Sequence, residues 1–202
     1  MRTTIKRLAV FALVLATLSQ HATASAGDKV EIKTSSAEAF FSSVDPSGCI
    51  TTFAWVFAGE PSSEPGQAGL IIRQYDACTF TLVLDAYGSA ELADPEFQVA
   101  PNLASATLET TVNIYDYVSG SSFDIYVDLT WTGIGTPNRY TSNSQWHDRN
   151  CHEISHHHGV SRTAEASGTI SDGHTDFARA PSVEARLYLD KYVDISGCKV
   201  LM

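Results

Sequence analysis

The sequence predicts an all-β protein, an antiparallel β-sandwich of Ig-like or jelly-roll-like type with about eight strands. Three observations carry this prediction. Apolar residues recur with a period of two, turn residues separate the periodic segments, and no segment keeps a period of 3.6 residues over a useful length. The same pattern also allows a closed barrel.

The first 26 residues are predicted to be a secretory signal peptide. Arg2, Lys6 and Arg7 precede a short apolar run, and the small residues that end at Ala26 form an A-x-A cleavage site. We therefore expect a secreted protein, extracellular or periplasmic, that is not inserted in a membrane after processing. The mature chain, 27–202, has the length of one well-cored domain and contains no linker-like tract.

The charge balance excludes one class of partner. The chain carries 13 Lys+Arg against 23 Asp+Glu, and three of the basic residues lie in the predicted leader. An acidic surface of this kind repels phosphate backbones and anionic lipids, so nucleic acid is not an expected partner.

The strands are predicted from alternation, one after another along the chain. The clearest is 122–133, in which apolar Phe123 to Trp131 alternate with aspartate, tyrosine and threonine. Segment 49–57 is apolar on both parities and suits a central strand covered on both sides, with Trp55 and Trp131 placed in the core. In order, the predicted strands are 37–44, 49–57, 69–75, 79–88, 105–118, 122–133, 159–170 and 182–195.

Four cysteines in an exported chain predict two disulfides, and spacing alone leaves three possible connectivities. If the first six strands run up and down as hairpins, the turns before Cys49 and at Cys78 meet at one end of the sandwich. Cys151 and Cys198 then fall together at the other end. We therefore predict the pairs Cys49 with Cys78 and Cys151 with Cys198.

The stretch "SATLETTVNIYDYVSGSSFDIYVDLTWTG", together with "SRTAEASGTISDG", resembles exported bacterial all-β proteins of the β-sandwich type that carry no assigned activity. The resemblance covers most of the mature chain. It implies an all-β fold and a secreted location, and it implies no catalytic activity.

A long loop rich in histidine is predicted between the sixth and seventh strands. It carries His147, His152, His156 and His158, which are candidate ligands for Zn, Cu or Ni, since clustered neutral imidazoles suit these metals. No cofactor is required by the predicted fold. A solvated polar loop without a specific task explains the same residues.

The same loop contains the zinc-protease signature His-Glu-x-x-His, in "HEISH". On a helix, His152 and His156 would share a zinc ion while Glu153 acted as general base. The stretch is similar to the metzincin pattern up to its last place, where Arg162 stands instead of a third histidine and cannot bind zinc. We treat a metallopeptidase as the sole enzymatic alternative and expect no catalytic activity.

Outward tyrosines suggest a third function. If Val118 lies opposite Phe123, then Tyr115 faces Tyr126 on the outer sheet face, and Trp146 in the long loop is open to a ligand. Aromatic rings with polar groups nearby are typical of carbohydrate platforms, although tyrosine is also simply favoured in strands. The sequence thus predicts a secreted protein of binding or structural role, with a polysaccharide or a protein surface as possible partner.

Overall fold

The computed structural model describes residues 29–147, 151–178 and 181–198. The predicted signal peptide, 1–26, lies outside the described residues. The described chain is all-β and antiparallel, as predicted, but it has ten strands rather than about eight. They are Lys29–Val44 (β1), Ile50–Pro61 (β2), Gly66–Asp76 (β3), Thr81–Leu92 (β4), Phe97–Val99 (β5), Ser105–Asp116 (β6), Ser121–Gly133 (β7), Asn138–His147 (β8), Cys151–Ser171 (β9) and Glu184–Cys198 (β10).

Strand pairing makes a closed ring. The sheet order is β10-β1-β2-β3-β4-β6-β7-β9-β8, and β10 also pairs with β9. Every strand except β5 and β8 is therefore a member of the ring, while β5 adds to β6 and β8 adds to β9. Because a closed ring leaves few free strand edges, most backbone N–H and C=O groups find a partner within the sheet.

The ring encloses the core, and its two walls differ in side-chain size. Strands β1 to β3 contribute mainly small buried residues such as Ala39, Ala54 and Ala68, whereas β6 and β7 contribute large ones such as Leu108 and Trp131. Small residues on one wall leave room for large residues from the other. The indole N–H of Trp131 donates to the backbone carbonyl of Glu38 on β1, 2.9 Å away, so this buried donor is satisfied.

Four strands continue past the ring as a second structural unit. The first part of β1, all of β8, the first part of β9 and the last part of β10 pair in the order β1-β10-β9-β8. We call this unit the projecting sheet. It takes up the segment that was predicted to be a long loop, so the histidines lie on paired strands and the loop prediction is wrong.

The hairpin between β6 and β7 corrects the predicted register. Asn113 lies opposite Asp124, and Tyr115 lies opposite Ser122 rather than Tyr126. The turn has four residues, as expected, but it lies two residues earlier in the chain and ends at Gly120, whose φ of 71° is rarely adopted by residues other than glycine. The shift is by an even number of residues, so the buried face is still the predicted one, and it carries Ile125 and the alternate residues that follow it.

The turn before β2 and the turn between β3 and β4 are joined by the disulfide Cys49–Cys78, whose Cα atoms are 5.2 Å apart. This pair is the one predicted. In the β9–β10 register Cys151 lies opposite Cys198, and Cys151 is disulfide-bonded. The side chain of Cys198 lies outside the described residues, so the second pair stays a prediction.

Candidate functional site

The zinc-protease signature lies on strand β9 rather than on a helix. On a strand, residues four apart are separated by about 13 Å, because each residue advances the chain by about 3.3 Å. The backbone positions of His152 and His156 therefore do not bring two imidazoles to one ion as a helical turn would. Glu153 points away from them, to the face on which it pairs across strands with Trp146.

The other predicted metal ligands are spread along the same hairpin. His147 lies opposite His152 at its tip, His156 lies opposite Asn143, and His158 lies opposite Thr141. The ring Nδ1 of His156 is 2.8 Å from the side-chain oxygen of Asn143. The side chain of His152 lies outside the described residues.

Among the described side chains, one group of three potential metal ligands lies within reach of a single ion, namely Cys49, Asp76 and Cys78. The two sulfurs of that group already bond to each other. The described residues thus hold no three-ligand cluster of histidines, and the predicted Zn, Cu or Ni site stays a prediction.

The fifth histidine of the hairpin, His157, lies on the opposite face of β9 in a cluster that sequence reasoning missed. Its ring stacks on Tyr192 with centroids 4.2 Å apart, and the ring of Tyr140 meets it edge-on at 5.3 Å. Asp190 accepts a hydrogen bond from the Tyr140 hydroxyl at 2.6 Å and lies 2.8 Å from Nε2 of His157. The three rings and the carboxylate therefore fasten β8, β9 and β10 together.

The tyrosine hydroxyls of this region are held in their neutral form. Burial, and then the hydrogen bond to Asp190, raises the pKa of Tyr140 well above its ordinary value. Burial raises the pKa of Tyr188 in the same way, and its hydroxyl donates to a carboxylate oxygen of Glu38 at 2.6 Å. Both phenols thus stay hydrogen-bond donors at any physiological pH and hold neighbouring strands in register.

The three residues of the predicted ligand platform are exposed but do not lie together. Tyr115 is 43% exposed and packs edge-on against Tyr117, with ring centroids 5.0 Å apart. Tyr126 is 42% exposed and donates a hydrogen bond to Glu109 at 2.9 Å. Trp146 is 55% exposed near the tip of the β8–β9 hairpin.

Instead, one of the three belongs to a longer row of side chains on the outer face of the ring. Cross-strand pairing joins five positions on five neighbouring strands. We call these positions the outer aromatic row, and they are Phe40, Trp55, Ile71, Tyr87 and Tyr115. Since strands lie about 4.8 Å apart, the row runs about 19 Å across the sheet.

Trp55 was predicted to lie in the core and instead lies on this outer face, half-buried. Its strand places the smaller Ala54 and Val56 inside and sends its large rings outward. The reason is the size of the interior, which the large residues of β6 and β7 already fill. The placement of Trp131 in the core is confirmed, since it is fully buried.

Comparison with family models, curated proteins and solved structures finds no match for this chain. No helix in the described part of the chain is long and apolar enough to cross a bilayer.

Further aromatic rings support the row on both sides of Trp55. Phe53 stacks on Phe40 with ring centroids 5.9 Å apart, and Phe57 lies 6.2 Å from Trp55. Phe57 covers Gly69 on the next strand, where a side chain would collide with the ring. Packing of this kind fixes the orientation of Trp55 before any ligand arrives.

Polar groups also flank the row, one pair on the margin of Phe53 and another pair on the opposite margin. Arg73 and Asp85 form an ion pair with a distance of 2.6 Å between Nε and Oδ1. Near Tyr115, the side-chain amide of Asn113 donates to Asp124 at 2.7 Å. The outer face thus combines exposed rings with donors and acceptors that remain open to solvent on their far sides.

Proposed function

We propose that the protein is an exported binding protein without catalytic activity, and that the outer aromatic row binds a polysaccharide. The observation that carries the proposal is the alignment of Trp55, Tyr87 and Tyr115 across neighbouring strands on one open sheet face. The apolar faces of sugar rings lie flat on aromatic side chains, while their hydroxyls bond to polar groups at the rim.

The exposure of the rings favours binding over simple packing. Tyr87 is 45% exposed, Tyr115 is 43% exposed and Phe53 is 38% exposed, so each offers area that a ligand would cover. A row of about 19 Å suits an extended polymer better than a single small sugar. The ion pair of Arg73 with Asp85 and the pair of Asn113 with Asp124 provide hydrogen-bond partners for hydroxyl groups at its edge.

Export agrees with the covalent chemistry of the chain. The Cys49–Cys78 disulfide forms and persists in oxidising compartments. Together with the predicted leader, it supports a secreted location, extracellular or periplasmic.

A peptidase activity has less support, because its motif lies on a strand and Glu153 and His156 lie on opposite faces of it. Casein hydrolysis and zinc content, measured on wild type and on Glu153→Gln, test this directly. We expect no hydrolysis above background in either protein. Stoichiometric zinc with hydrolysis that disappears in Glu153→Gln would contradict the absence of catalysis.

The binding proposal is tested by co-sedimentation with insoluble cellulose, chitin and peptidoglycan. We expect the double variant Trp55→Ala, Tyr87→Ala to bind at least about tenfold more weakly than wild type, since each ring contributes on the order of 1 kcal/mol. Tyr126→Ala is the matched control, because this tyrosine is equally exposed but lies off the row.

Equal sedimentation of wild type and the double variant with every polymer would refute the polysaccharide proposal. Retention of the double variant's circular dichroism spectrum shows that the loss is one of binding. Wild-type binding to none of the three polymers would likewise contradict the polysaccharide proposal.

A further inference from the structure

The face of the projecting sheet that continues the inner side of the ring forms a second candidate site. Cross-strand pairing places Lys33, Lys191, His158 and Thr141 in one line over four strands. The neighbouring line on the same face contains Leu189, Val160 and Arg139. These residues line a groove of about 550 Å³, which lies within the roughly 300–1,000 Å³ range of small-molecule sites.

The floor of the groove is apolar and its margins are cationic. Val160 and Leu189 are partly buried and pack against the core of the ring. Arg139 and Lys33 stand on the two outer strands, β8 and β1, and both are exposed. A ligand that lies on the floor would therefore have positive charge on either side.

The positive charge of this face is in excess over its negative charge. In the described strands the face carries Lys29, Lys33, Lys191 and Arg139, and Glu31 is its one carboxylate. Glu31 lies 2.8 Å from Lys191 and 3.8 Å from each of the other two lysines. Three lysines thus share one carboxylate, and with Arg139 the face carries three more positive than negative charges, although the chain is acidic as a whole.

The other carboxylates of these strands lie on the opposite face. Asp190 borders the groove through its backbone position, but its carboxylate is engaged on the other side by Tyr140 and His157. Glu38 likewise accepts a hydrogen bond from Tyr188. Most positive side chains of these strands therefore lie on the groove face and most carboxylates on the opposite face. Arg139 has no ion-pair partner among the residues that the structure describes.

We propose that this groove binds an organic anion whose apolar body lies on Val160 and Leu189 and whose carboxylate or phosphate pairs with Arg139, while Lys33 adds positive charge at the opposite margin. The cationic side chains attract the anionic head group of the ligand, and the apolar floor favours burial of its apolar body. This site is separate from the outer aromatic row, and its ligand does not depend on the polysaccharide proposal.

Calorimetric titration of the mature protein with octanoate and with octyl phosphate tests the proposal. We expect saturable binding of both, with the tighter of the two identifying the preferred head group. Octanol, which lacks charge, and inorganic phosphate, which lacks the apolar body, should each bind at least about tenfold more weakly. Raising NaCl from about 50 mM to about 500 mM should weaken octanoate binding several-fold.

The variant Lys33→Gln, Arg139→Gln should bind either octyl anion at least about tenfold more weakly. Arg73→Gln is the matched control, since it removes an exposed cation from the outer face of the ring, and it should leave the affinity unchanged. The absence of saturable binding to wild type, equal affinity in the double variant, or octanol binding as tight as that of the anions would overturn the proposal. The salt dependence requires no variant, so it tests the electrostatic part even if the double variant folds poorly.

Discussion

The ring of His157 on β9 lies flat against the ring of Tyr192 on β10, with centroids 4.2 Å apart and planes 10° apart. Asp190, two residues before Tyr192, bridges the same histidine to Tyr140 on β8. One histidine of the histidine-rich β8–β9 hairpin, His157, thus links this hairpin to β10. The other histidines of this hairpin lie on the other face of β9 or near the hairpin tip.

His157→Ala should loosen the projecting sheet without disturbing the ring. The substitution removes a stacked pair and a hydrogen bond to a carboxylate, together about 1–3 kcal/mol of local stability. Hydrogen exchange of the β8 amides, residues 138–147, should become about 5- to 100-fold faster while that of β6 and β7 is unchanged. His158→Ala is the control, because its exposed side chain makes no comparable contact. Equal exchange in the two variants would contradict the fastening role of His157.

Gly159→Ala should destabilise the protein because a methyl group at this position would overlap the ring of Tyr140 and the carboxylate of Asp190. Those two groups are bonded to each other, so neither can move aside without breaking a hydrogen bond. We expect a loss of about 1–3 kcal/mol in the free energy of unfolding, measured by urea titration.

The matched control for this prediction is Gly59→Ala, since the nearest side-chain atom to the new methyl would be the Cβ of Ser36 at an ordinary 3.6 Å. Its stability should stay within about 0.5 kcal/mol of wild type. A larger loss in Gly59→Ala than in Gly159→Ala would refute the steric argument.

Replacing Cys49 and Cys78 by serine should lower the free energy of unfolding by about 2–4 kcal/mol. The bridge closes a loop with a sequence separation of 29, and loss of a cross-link of this length increases the entropy of the unfolded chain. Urea denaturation of the double variant against oxidised wild type measures the loss. An unchanged midpoint would mean that the two hairpin turns hold their positions without the bridge.

Peptide mapping of the unreduced protein tests the second disulfide. The antiparallel register places Cys151 opposite Cys198, so we expect one cross-linked peptide pair that contains both, in addition to the pair from Cys49 and Cys78. Alkylation without reduction should label no thiol. A peptide that links Cys151 to either of the other two cysteines would contradict this connectivity.

Four turn aspartates predict that the protein loses stability in acid. Asp45, Asp76, Asp116 and Asp172 each accept at least two hydrogen bonds, mostly from the turns that follow them. For Asp45 and Asp76 these bonds lower the pKa of the carboxyl. For Asp116 and Asp172 burial is the largest single influence and raises the pKa, but the hydrogen bonds outweigh it and the pKa is again lowered.

A carboxyl group with a lowered pKa in the folded state stabilises the fold above its unfolded pKa, about 3.9 for aspartate. The stabilisation is lost as the pH falls through the lower folded value, so urea midpoints should drop below about pH 4. Asp116→Asn should be less stable than wild type at pH 7 and should show a smaller further loss at pH 3. Asp128→Asn, which alters an exposed strand carboxylate, should keep the pH dependence of wild type.

Alternation of side chains was enough to predict the all-β class and the buried faces of β6, β7 and most of β10. The buried face also survived the wrong register of the β6–β7 hairpin, because a shift by an even number of residues keeps each side chain on its face. Which residues lie opposite one another depends on the turn, and the turn that ends at Gly120 lies two residues earlier in the chain than the sequence suggested. For this reason the predicted contact of Tyr115 with Tyr126 was wrong, although both lie on the outer face.

Strand β8 was missed because it carries no alternation. Its residues are polar on both parities, and all except Tyr140 are exposed, since the strand pairs on one edge and borders solvent on both faces. A period-two signal requires one face to be buried. The placement of Trp55 failed for a different reason: its strand is apolar on both parities, and the choice of the inner face depends on how large the residues of the opposite wall are.

Both candidate binding surfaces depend on pairings that are distant in sequence. The outer aromatic row takes one residue from each of five strands, and the cationic groove joins β1 with strands near the end of the chain. A sequence read segment by segment contains these residues but does not say that they are neighbours.

Strand β9 changes its neighbour along its length. Up to Ser161 it pairs with β8, from Ala164 onward it pairs with β7, and β10 accompanies it on the other side from Cys151 to Ala164. Insertions or deletions in the projecting sheet would therefore leave the backbone hydrogen bonds of the ring intact. The projecting sheet can therefore accept new binding sequences while the structure of the ring stays unchanged.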